Sequence, residues 1–100
     1  MARFDVYTFR HDVPLVVDVQ SELFAGIGSR VVIPLLRSED VAAEAMDRLK
    51  PTILVQGVTY RLITTDIVAI PTSRLGDLVG SLEQQRQVII DAIDFLMQGF

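Results

Sequence analysis

Residues 15–35, LVVDVQSELFAGIGSRVVIPL, decide how this chain folds. Leu15, Val17 and Val19 recur at every second position, the period of a strand with one buried face. Glu22 to Ser29, with Gly26 and Gly28, reads as a loop. Val31-Val32-Ile33 is a continuous β-branched run, the pattern of a strand covered on both sides. Pro34 behind it predicts a deflection, because proline cannot donate to a sheet ladder.

Toward the amino terminus, Phe4 and Val6 show the same alternation and predict an earlier strand. Arg10-His11-Asp12-Val13-Pro14 is polar around a proline and forms the connection, which places the single histidine in a loop. In the other direction, Val41, Ala45 and Leu49 fall on one face of a short helix expected within Ser38–Lys50, with Ser38 or Asp40 as its cap. Ile53-Leu54-Val55 and Thr59 to Thr64 flank Gln56-Gly57, the signature of a tight hairpin. Ile67 to Ile70 predicts a short strand ending at Pro71, and Gly76 and Gly80 punctuate the stretch up to the last element. Ser81-Leu82-Glu83-Gln84 has the form of a capping box. Leu82, Ile89, Ile93 and Leu96 then repeat at helical spacing, giving an amphipathic helix that Gly99 stops, with Phe100 beyond it.

One hundred residues, half of them hydrophobic and 22% charged, describe one globular domain spanning 1–100. A mean hydropathy of +0.40 leaves apolar surface for a partner once one modest core is filled. The net charge of −4 gives no footprint for direct nucleic-acid binding. Without cysteine there is no disulfide framework and no thiolate chemistry, and no apolar run approaches a membrane span. These features predict a cytoplasmic protein that does not bind membranes.

Catalysis has little to work with. His11 is the one side chain that ordinarily titrates near neutrality, and a triad of Ser38 or Ser73 with His11 and Asp18 lacks any nucleophile-elbow pattern. Gly26-Ile27-Gly28 begins like a phosphate-binding loop but lacks the third glycine and the lysine. Asp91 and Asp94 lie three apart without a third ligand, so no metal is expected. Arg61, Thr64, Thr65 and Asp66 form a dense polar group whose expected role is to satisfy backbone at a strand end. No catalytic residue and no cofactor are expected.

Phe4, Val6-Tyr7-Thr8, Val17-Asp18-Val19-Gln20-Ser21, Arg30, Val32-Ile33-Pro34-Leu35, Pro51, Thr64-Thr65-Asp66 and Gly99, in that order, resemble the CcdB family of toxins across essentially the whole chain. The resemblance implies an α+β, predominantly antiparallel fold: an SH3-like barrel of the CcdB/plasmid maintenance toxin type, with a smaller accessory sheet and one C-terminal helix. It implies a homodimer that binds the DNA gyrase A subunit and traps its DNA cleavage complex, and a CcdA-like antitoxin that neutralises the toxin through a segment that folds on binding. It also implies a gyrase-binding surface at Leu23, Phe24, Asp94, Met97, Gln98, Gly99 and Phe100. Where the family carries an asparagine and a tryptophan in this tail, the chain has Asp94 and Gln98. Two further readings stay open: a dimeric binding module of the same fold whose gyrase activity is lost or redirected, and an endoribonuclease, by analogy with related toxin dimers.

Overall fold

The computed structural model describes residues 2–24, 26–41 and 48–99. Its strands are β1 (Asp5–Thr8), β2 (Leu15–Asp18), β3 (Ser29–Arg37), β4 (Thr52–Val55), β5 (Val58–Leu62), β6 (Val68–Pro71) and β7 (Leu78–Ser81), followed by helix α1 (Arg86–Gln98). All pairings are antiparallel. The path is β4-β5-β3-β2-β1-β7, with β6 also joined to β3. This sheet curls into a half-barrel whose inner face α1 covers through Ile89 and Ala92.

Pro34 does not deflect the chain. It sits inside β3, opposite Val16 of β2. Val19 N–H donates to Val31 C=O at 2.9 Å, so alternation along the antiparallel pair makes Val16 and Pro34 a non-hydrogen-bonded pair, where a missing N–H costs nothing. On its other side Pro34 marks a change of partner. Residues 29–32 of β3 pair with β6 and residues 35–37 with β5, while Pro34 C=O accepts from Ile63 N–H at 2.9 Å. The β4–β5 hairpin is thereby the smaller accessory part of the sheet, continuous with the main part through Leu35–Arg37. Its turn has Gln56 at φ 49° and Gly57 at φ 80°, the two positive angles of a type I′ turn.

The expected single buried face of the early strands is only half of what the sheet does. Val6, Leu15, Val17, Ile33 and Leu35 face the core shared with Leu62, Leu82 and Ile89. On the opposite face Tyr7, Val16 and Val32 form a second cluster, covered by Phe9, Val13, Ile70 and Leu75. Every residue of β2 is buried as a result.

Two local expectations change, and a third falls largely outside the described residues. The Gly76–Gly80 stretch runs into β7, which pairs Val6 with Gly80 and, after a register shift, Tyr7 with Leu78; distant β1, not local propensity, makes it a strand. Ser81 accordingly lies in that strand, and its hydroxyl accepts from Glu83 N–H at 3.2 Å. A 3₁₀ turn at Glu83–Gln85 comes next, and α1 starts at Arg86 with no side-chain cap, so the capping box does not form. Ser38–Asp40 forms a 3₁₀ turn closed by Val41 N–H, whereas residues 42–47 of the expected helix, Ala45 among them, lie outside the described residues.

Candidate functional site

The loop between β2 and β3 is built outward from a buried ion pair. Asp18 and Arg30 have side chains 0% and 1% exposed, and Arg30 Nε donates to Asp18 Oδ2 at 2.7 Å. Arg30 Nη2 lies 2.6 Å from the same oxygen without an aligned N–H, and Nη1 finds no acceptor among the described residues. Asp18 Oδ1 accepts from Gln20 N–H at 3.0 Å. Gln20 then engages both ends of its amide: Oε1 accepts from Val31 N–H at 2.9 Å, and Nε2 donates to Phe24 C=O at 2.9 Å. Ser21 Oγ takes Leu23 N–H at 3.2 Å. Each polar residue of Val17-Asp18-Val19-Gln20-Ser21 therefore has a structural partner that shapes this loop.

What the loop presents is apolar. Leu23 is 89% exposed and Phe24 53%, in a single 3₁₀ turn, and Ile27 beside them is 53% exposed. The loop is anchored to a buried ion pair, yet it holds three large hydrophobes in water, so these side chains contribute nothing to the core.

The second segment is the last turn of α1. Asp94, Met97 and Gln98 stand at i, i+3 and i+4 and share one outward face; all three are exposed, Met97 by 66%. Gly99 takes φ 80°, and its N–H returns to Phe95 C=O at 2.8 Å, so the helix stops where expected. Phe100 lies outside the described residues. Asp94 also borders a cavity of about 360 Å³ with Arg48, Pro51, Val88, Asp91 and Ala92, and the Arg48 guanidinium sits 4.0 Å from the centre of the Phe95 ring. Among the described residues no hydrogen bond joins this turn to the Leu23–Phe24 loop, so each is a separate presentation of exposed side chains.

The catalytic possibilities have other occupations. Asp18 is committed to Arg30, so it does not orient His11, which is exposed in the β1–β2 loop. Ser38 and Ser73 belong to separate 3₁₀ turns. Gly26-Ile27-Gly28 leads into a strand, not a helix. Arg61 Nη1 donates to Lys50 C=O at 2.7 Å, which is backbone satisfaction by a side chain, whereas the Thr64–Asp66 turn is closed by the main chain through Ile67 N–H and the buried Thr64 Oγ1 finds no hydrogen-bond partner among the described residues. Burial pushes the Tyr7 phenol above its ordinary value, and the Asp5 and Asp18 carboxylates push the same way, so Tyr7 stays neutral through the physiological range. Among the described residues no three of His, Cys, Asp and Glu gather as metal ligands would, and no helix is long and apolar enough to cross a membrane.

Sequence reasoning missed Ile27 and Gln20. Ile27 lies between two glycines that read as a loop and as an incomplete phosphate-binding motif, neither of which points to its side chain. The signal for Gln20 was its place after Val19, where the strand period ends and a polar side chain is free to bond the loop it opens. With this geometry in place, comparison with family models adds one finding: the model described as CcdB protein matches residues 3–99.

Proposed function

The chain belongs to the CcdB family, and from that premise we propose that it is the toxin of a type II toxin-antitoxin pair that binds the DNA gyrase A subunit and holds its DNA cleavage complex. The observation that carries this reading is the pair of exposed, rigidly supported segments: Leu23-Phe24 on the ion-pair-anchored loop, and Asp94, Met97 and Gln98 on the last turn of α1. Of the residues named in these segments only the Asp94 carboxylate could act as a base, and poisoning needs none. Burying side chains such as Leu23, Phe24 and Met97 contributes about 1.5–3 kcal/mol each, enough for a few of them to dominate an interface.

In this reading two chains pair as a homodimer and present two copies of the Asp94–Phe100 tip, with Leu23 and Phe24 beside them. A CcdA-like antitoxin competes through a segment that orders on binding. Gyrase of the host, incubated with supercoiled DNA and the purified protein, should accumulate cleaved DNA. Gly99→Glu should abolish this, and Met97→Ser, which leaves the helix stop intact, should weaken it at least tenfold. Absence of cleaved DNA at saturating protein rejects the proposal.

Asp94 and Gln98 favour a second reading, a dimeric module that keeps its antitoxin but has lost or redirected gyrase binding. Here Gln98 brings an amide that needs partners in any interface. Normal growth on expression without antitoxin, together with retained antitoxin binding, would support this second reading against the first.

A further inference from the structure

The strand path leaves β4 and β7 at its two ends. Hydrogen bonds across this seam come from glutamine side chains. Leu54 N–H donates to Gln85 Oε1 at 3.0 Å, Gln85 Nε2 donates to Leu54 C=O at 2.8 Å, and Gln56 Nε2 donates to Val79 C=O at 3.1 Å. Because Val55 and Val58 flank a two-residue turn, Leu54 and Thr59 form a non-hydrogen-bonded pair, and both backbone groups of Leu54 point away from β5. A primary amide offers one acceptor and donors in a plane, much as a peptide unit does. Gln85 thus fills the place of a neighbouring strand's residue, at the β4 edge, from a position immediately before α1.

That position gives the contact leverage. The helix of 13 residues is about 20 Å long at 1.5 Å per residue, so a tilt of roughly 5° at its start moves its far end by about 1.7 Å. We propose that Gln85, helped by Gln56, is a latch that closes the half-barrel and sets the tilt of α1, making Gln85 the positioning residue for Asp94, Met97 and Gln98. The functional consequence rests on the docking role given to that tip above; the latch itself does not.

Nuclear magnetic resonance of the full chain tests the two separately. Residual dipolar couplings give the direction of α1 relative to the sheet, and hydrogen exchange gives the protection of the Leu54 amide. In Gln85→Ala, Leu54 should lose at least tenfold in protection while Val17 and Ile33 keep theirs, and α1 should rotate by several degrees. Gln85→Glu should lie between alanine and parent at pH 7, since a carboxylate still accepts from Leu54 N–H but has no donor for Leu54 C=O. Near pH 3.5, below the ordinary glutamate pKa of about 4.3, its hydroxyl can donate again and both readouts should return toward the parent at the same pH. A helix direction unchanged in Gln85→Ala, a uniform loss of protection across all amides, or a Gln85→Glu variant indifferent to pH would each overturn the latch. If the parent does not bind the gyrase A subunit, the proposed function fails and these measurements still judge the latch. If it does bind, Gln85→Ala should weaken binding about tenfold, and equal affinity despite a rotated helix would remove the latch's role in docking.

Discussion

Replacing Asp18 by Asn tests the physical basis of the β2–β3 loop. Asparagine keeps nearly the same shape and retains an oxygen for Gln20 N–H, so the hydrogen bond that starts the loop survives. The negative charge does not. The Arg30 guanidinium, 1% exposed and 2.6–2.7 Å from that carboxylate, is left as an uncompensated buried charge. Removing one partner of a buried pair costs about 3–5 kcal/mol, a large part of the roughly 5–15 kcal/mol that holds a domain together. Urea unfolding followed by circular dichroism, at one fixed protein concentration, should show the midpoint fall by about 2–3 M for an m-value of ~1.5 kcal/mol/M. The double variant Asp18→Leu with Arg30→Met removes both charges and should recover most of the loss at equal concentration. A single-variant loss below about 1 kcal/mol, or a double variant as unstable as the single one, would refute the argument that the pair matters through uncompensated charge.

Three further substitutions probe other parts of the fold. A Cβ on Gly76 would lie 2.8 Å from the Thr8 backbone oxygen, so Gly76→Ala should destabilise by about 1–3 kcal/mol in the same urea assay and loosen the β1–β7 pairing. At Gly99 a Cβ has open space but meets φ 80°, so Gly99→Ala should cost only about 1 kcal/mol; thermal unfolding of the two alanine variants side by side should rank Gly76 as the more damaging. Tyr7 has a folded pKa above its unfolded value of 10.0, so its contribution is fully present below pH 10 and is lost as the pH rises through the folded value. Tyr7→Phe should therefore flatten the fall in stability above pH 10, and a Tyr7→Phe curve parallel to the parent's there would contradict the assignment.

Local chemistry was enough for much of this. The Gln56-Gly57 hairpin, the Gly99 stop, the loop position of His11 and the amphipathic character of the last helix all follow from side-chain period, turn residues or φ preference, which act over a few residues. The order of short motifs carried the family as well. Local chemistry failed where a distant segment decides. Pro34 reads as a strand breaker, yet its missing N–H falls where β2 asks for no bond and where β3 changes partner from β6 to β5. Gly80 reads as punctuation, yet β1 recruits it into β7.

For the candidate site the division is the same. Leu23, Phe24, Met97 and Gln98 stood out as residue types at motif positions, but their exposure is a property of the packed chain. So is the reason they are held in place: Asp18 meets Arg30, twelve residues away, and Gln20 meets Val31, eleven residues away, only once β2 and β3 have paired. Period and turn chemistry are written into neighbouring residues, so the sequence by itself determined most of the elements and the family. Burial and partner choice are sums over contacts between distant residues, so the buried ion pair, the glutamine-bridged seam and the face each side chain shows to solvent were decided only by the tertiary structure.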